Sequence, residues 1–73
     1  MKHFVLVFDR RKAVILEQRE FASDQAEAAW AASDQLTRQH VGEPDVEVVL
    51  FGSRSEEDLR KTHGRYFAPL VVH

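Results

Sequence analysis

Apolar and polar positions along this chain fall into blocks of different period. Phe4 to Phe8 is an unbroken apolar run, β-branched or aromatic at four of its five positions, as strands prefer. Ala13-Val14-Ile15-Leu16 opens a second strand that passes into a mixed stretch through Glu17, Arg19 and Glu20 to Phe21. The short polar segment Asp9-Arg10-Arg11-Lys12 between them suits a hairpin turn, although it lacks the Asn-Gly or Asp-Gly pair of a two-residue primed turn. From Asp24 to His40 the period changes: Ala26, Ala29, Trp30, Ser33, Leu36 and Thr37 recur at spacings of three and four, which predicts an amphipathic helix. That stripe is mostly small, so the helix is expected to lie close on a sheet with Trp30 and Leu36 as its two large anchors. Ser23 and Asp24 offer an N-cap, with Glu27 at capping-box spacing from Asp24, while Gly42 and Pro44 end the helix.

Asp45 to Phe51 reads as a third strand closed by Gly52. Ser55 followed by Glu56, Glu57 and Asp58 is a strong start for a second, shorter helix, because a hydroxyl cap and early acids both suit the helix dipole. It is expected to run to about His63 and to stop at Gly64. The remaining segment, 66–73, is an apolar tail in which Pro69 argues against a central strand.

The elements give an α+β fold in the order ββαβα with an apolar C-terminal tail, one small domain over residues 1–73. A hairpin followed by a crossover helix sets the third strand beside the first and parallel to the second, so the sheet order 2-1-3 is preferred to 1-2-3. The central place suits the doubly apolar first strand. This ββαβ order resembles that of small antitoxins with a partial ribonuclease-H fold, but the glycine-rich strand segments of that family have no counterpart here, and order alone implies no function.

With Phe4, Leu6 and Phe8 under the long helix, the other sheet face is expected to carry Val5, Val7, Ile15, Val49 and Phe51. The second helix offers only Leu59 as a large apolar residue to cover it. Tyr66, Phe67, Leu70 and Val71 in the tail, or another copy of the chain, are the expected cover. A bare face of this size marks an association site. The expected function is therefore a non-catalytic protein-interaction module, with a homodimer as the favoured form.

Composition narrows the alternatives. A chain of 73 residues with no cysteine has neither a disulfide nor a thiolate zinc site to reinforce a thin core. The apolar run Phe4–Phe8 is too short for a signal-peptide core or a membrane span, which points to the cytoplasm. The net charge of −2 is unevenly spread: residues 1–20 carry +2, residues 21–58 carry −7 and residues 59–73 carry +3. An anion-binding surface would have to come from the two ends. Arg10, Arg11 and Lys12 at the hairpin tip and Arg60, Lys61, Arg65 and Tyr66 near the C-terminus form the alternative reading, a nucleic-acid-binding surface with Tyr66 as a stacking residue.

The remaining chemistry is sparse. His3, His40, His63 and His73 show no metal-ligand spacing, and His40 and His63 suit helix C-termini as favourable charges, so no metal and no cofactor are expected. Glu56, Glu57 and Asp58 are consecutive and diverge around a helix, and no serine sits in an activating context. Gly52-Ser53-Arg54-Ser55 lies where backbone amides can hold a phosphate, but the three following acids oppose an anion and favour simple capping. An enzyme working from one chain is not expected; a catalytic site would have to be assembled between subunits.

Overall fold

A computed structural model describes residues 1–62 and 64–67. Strand β1 (Lys2–Asp9) and strand β2 (Val14–Phe21) form a hairpin, helix α1 (Ala26–Gln39) follows, and strand β3 (Val46–Ser53) leads to helix α2 (Glu56–Thr62) and the single turn α3 (Gly64–Phe67). The sheet order is β2-β1-β3, with both outer strands antiparallel to β1 and therefore parallel to each other. The expected α+β architecture and strand order are those observed.

The hairpin turn is built by Asp9. Its Oδ1 accepts the backbone N–H groups of Arg11 at 2.9 Å and Lys12 at 3.1 Å, and Ala13 closes the turn with a left-handed φ of 57°. This side-chain turn does the work that an Asn-Gly pair does elsewhere. Arg10 then ties the tip across the sheet end: its backbone N–H donates to Asp45 O at 2.8 Å and its guanidinium donates to Pro44 O.

The two sheet faces are the reverse of the sequence expectation. Antiparallel pairing sets directly opposed residues on one face, and the register opposes Leu6 to Val49 and Val5 to Leu50. Val5 and Val7 therefore join Val48 and Leu50, not Val49 and Phe51. It is Val5 and Val7 that lie under α1, in a cluster with Ala29 and Leu36, with Phe21, Val46, Val48 and Leu50 packed around it. Leu6 and Phe8 share the opposite face with Ile15, Val49 and Phe51, and Phe4 is on that side by register. The physical reason is one of size: a helix whose buried residues are Ala29, Ala32 and Leu36 sits close over valines, whereas the bulkier Phe and Leu face needs a cover that stands further off.

That cover comes from α2 and α3. Leu59 is fully buried, and Tyr66 fills the second face, its ring meeting Phe8 edge-on at 5.0 Å between centroids and Phe51 at 5.6 Å. Tyr66, one of the residues expected to cover this face, thus packs on it from within the chain, and Ile15, Val49 and Phe51 there remain partly exposed. Tyr66 belongs to α3 and not to an extended tail; Leu70 and Val71, with the rest of 68–73, lie outside the described residues, as do the side chains of Arg65 and Phe67.

Trp30 is a second correction. It is 63% exposed, while the buried stripe of α1 runs through Ala29, Ala32 and Leu36. One residue is 100° around a helix, so a stripe centred on Ala29 turns Trp30 onto the flank. Capping differs too: Gln25 is the N-cap of α1, with no side-chain bond to the helix from Ser23 or Asp24, and its Oε1 accepts the Ala22 N–H at 3.0 Å. At the other end His40 is the C-cap and Gly42 takes a positive φ of 88° two residues later. The Ser55 cap of α2 is as expected, its Oγ accepting the Asp58 N–H at 3.2 Å.

Candidate functional site

The residues proposed for chemistry or binding are scattered by the fold. Arg10 is engaged with Pro44 at the sheet end, and Arg11 and Lys12 stay at the exposed hairpin tip. Arg60 and Lys61 each lie beside an acid one helical turn earlier, Glu56 at 3.4 Å and Glu57 at 3.5 Å. Glu56 in turn accepts the Gln18 amide at 2.8 Å, which fixes this part of α2 beside β2, four residues or roughly 13 Å from the strand's tip end. The Gln18 hydrogen bond holds the Glu56 carboxyl below its ordinary range; slight desolvation opposes this and Arg60 adds to it. Tyr66 does not offer a stacking face, because its ring is buried between Phe8 and Phe51 and its hydroxyl donates to Glu47 Oε2 at 3.3 Å. The two basic segments are therefore locally paired or apart.

The histidines are similarly dispersed. His3 Nε2 lies 3.3 Å from Ser23 O, and His40 Nδ1 lies 3.0 Å from Glu43 Oε2. Among the described residues no three His, Asp or Glu side chains converge as a metal site. An open cleft of about 490 Å³ lies at the sheet end lined by Met1, Lys2, Ala22, Ser23 and Arg54, and the Lys2 ammonium there pairs with Glu20 at 2.9 Å.

Of the residues expected at an interface, Val5 and Val7 are fully buried inside the chain, and Ile15, Val49 and Phe51 line the face that Tyr66 fills. The outer edge of β3 is also unpaired by any further strand among the described residues. Every residue from Val46 to Phe51 remains partly exposed, and five of those six are apolar. The phase of its hydrogen bonds follows from one contact. Arg10 N–H donates to Asp45 O, and the register opposes Asp9 to Val46, so Arg10 and Asp45 are a hydrogen-bonded pair. Such pairs alternate along an antiparallel ladder, so Glu47, Val49 and Phe51 direct their backbone groups at β1. Val48, Leu50 and Gly52 direct theirs outward, where the described sheet has no further strand. The Val46 N–H also points away from β1, and a turn takes it up by donation to Glu43 O at 3.1 Å.

Sequence reasoning named Val49 and Phe51 as interface residues for their apolarity and did not single out the outward backbone of Val48, Leu50 and Gly52. A signal for that edge in the sequence is the low charge of the observed strand, which contains Glu47 alone, Asp45 lying just before it. No family model, curated protein or solved structure matches this chain. No helix among the described residues is long and apolar enough to cross a membrane.

Proposed function

We propose that this chain is a non-catalytic, cytoplasmic protein-interaction module that works as a homodimer. One observation carries the reading: beside a helix on each sheet face, the described residues keep a partly exposed apolar strand, β3, at a sheet edge that no further described strand pairs. Long, apolar, unguarded edges invite another strand, and folded proteins ordinarily blunt them. A chain this short has little core of its own, so association also supplies stability that the monomer lacks.

The test is size-exclusion chromatography with light scattering over a dilution series, at low and high salt, with absorbance read at 260 and 280 nm. A species of twice the monomer mass that dissociates on dilution and survives salt is the expected result, since apolar and backbone contacts are weakly screened. A monomer at every concentration overturns the reading. A monomer that co-purifies with 260 nm absorbance removable by salt overturns it in favour of nucleic-acid binding by the basic segments.

A further inference from the structure

We propose that two copies of this chain pair β3 with β3 in antiparallel fashion about a two-fold axis at Leu50, joining two three-stranded sheets into one of six strands. This rests on the self-association proposed above and names the surface that performs it. A strand edge is self-complementary under a two-fold axis, because each outward residue offers one N–H and one C=O that meet the same pair, reversed, in the copy.

The hydrogen-bond phase selects the axis. Outward backbone groups belong to Val48, Leu50 and Gly52. An axis at Leu50 sets Leu50 against Leu50 of the copy and Val48 against Gly52 of the copy, so all of these groups find partners. It leaves the Val46 N–H in its own turn with Glu43. An axis one residue earlier, at Val49, would oppose Gly52 to Val46 of the copy, whose N–H is already spent.

Side chains agree with this register. On the α1 side, Leu50 meets Leu50 of the copy, and both are partly exposed in one chain. On the opposite side, Val49 faces Phe51 of the copy, an aromatic and β-branched cross-strand pair of the kind that stabilises sheets. Charges fall well. Glu47, the one acid in β3, faces Ser53 of the copy and stands six residues, roughly 20 Å, from its own counterpart. Asp45 and Arg54 flank the strand, both exposed and neither in an ion pair among the described residues. The two-fold axis sets Asp45 of each copy level with Ser55 of the other, ten residues, or roughly 33 Å, from its own counterpart along the seam. Like charges are thus kept apart along the seam.

The experiment exploits the alternation of phase. Proline at 48 removes an N–H that points away from β1, so Val48→Pro leaves the ladder to β1 intact and blocks only the outer edge. It is expected to keep the far-ultraviolet circular dichroism of the parent and to raise the dimer midpoint concentration by about ten- to a hundredfold, as the loss of a bond at each of two equivalent places implies. A second measurement does not depend on that variant folding. Leu50→Cys places a single thiol on the axis of a chain with no cysteine, where Cα atoms of a hydrogen-bonded pair lie about 5.5 Å apart, within disulfide reach. Val48→Cys sets the two thiols about four residues, roughly 13 Å, apart along the seam. Leu50→Cys should therefore oxidise to a covalent dimer and Val48→Cys should not.

Dimeric wild type with a dimeric Val48→Pro variant, or with equal cross-linking at 48 and 50, overturns the β3 pairing and leaves self-association standing. Monomeric wild type overturns both. Monomeric wild type with slowed hydrogen exchange at the amides of Val48, Leu50 and Gly52 overturns both in a defined way, by showing that the chain covers its own edge.

Discussion

The two outer strands of this sheet are equal in length and opposite in design. Strand β2 carries three charges, Glu17 and Arg19 on the α1 face and Glu20 on the other, and its register slips between Val7 and Phe8, where Leu16 is the extra residue. Charges and a bulge are two standard ways to prevent an edge from recruiting another strand. The Glu17 and Arg19 side chains also pair with each other, and Lys2 pairs with Glu20, so this edge is dressed in local ion pairs. Strand β3 has neither device. Its register with β1 runs unbroken from Val46 to Ser53, and Glu47 is its one charge, drawn inward towards Tyr66. A protein that guards one edge and leaves the other flat separates stopping from joining: two open edges would permit endless growth, whereas one open edge closes at a dimer.

The largest way to break this contrast is to unguard β2. The double variant Glu17→Val, Arg19→Val makes the second edge apolar as well, and the expected outcome is conversion of a discrete species into open-ended assemblies, seen as turbidity and a rising scattered mass. A variant that keeps the parent's mass would show that side-chain charge is not what guards β2.

A smaller effect concerns what holds β3 in place. Tyr66 packs against Phe8 and Phe51 and hydrogen-bonds Glu47, so it ties β3 to the sheet from the covered face. Tyr66→Ala is expected to lower unfolding stability by roughly 3–5 kcal/mol in urea titration, in the range seen when a large buried aromatic is truncated. Hydrogen exchange should quicken in β3 more than in β2. Equal loosening of both strands would mean that Tyr66 supports the sheet as a whole.

The smallest effect sharpens the β2 side. Gln18 donates to Glu56 and holds its carboxyl below the ordinary range. A depressed folded value means a contribution to stability that is present above the unfolded pKa and is lost as the pH falls through the folded one. Replacing Gln18 with Leu should move the Glu56 titration upward, measured by NMR, and should make the variant's stability less sensitive to acid. An unmoved titration would assign the depression to Arg60.

Much of the local structure was legible. The apolar run Phe4–Phe8, the Ser55 cap with its three acids, and the small-residue stripe of α1 each announce an element through local chemistry, and the 2-1-3 order follows from a hairpin and a crossover. Legibility failed where two solutions share one local pattern. In β1 both alternating sets are apolar, so the pattern alone does not say whether Val5 and Val7 or Leu6 and Phe8 lie under α1. Along α1, Ala29 and Trp30 both fit spacings of three and four, and the chain buries the smaller one because a helix close on valines has no room for an indole.

The open edge lies beyond local patterns altogether. Local chemistry set the elements, their order and the low charge of β3, because strand and helix preferences act over a few residues. Long-range packing settled which face each strand turns to α1, that Tyr66 packs on the other face, and that Val48, Leu50 and Gly52 direct their backbone groups outward. Those outcomes depend on register between segments far apart in the chain, from Asp9 with Val46 to Lys2 with Ser53, and a shift of one residue in the pairing would exchange every inward and outward group along the strand.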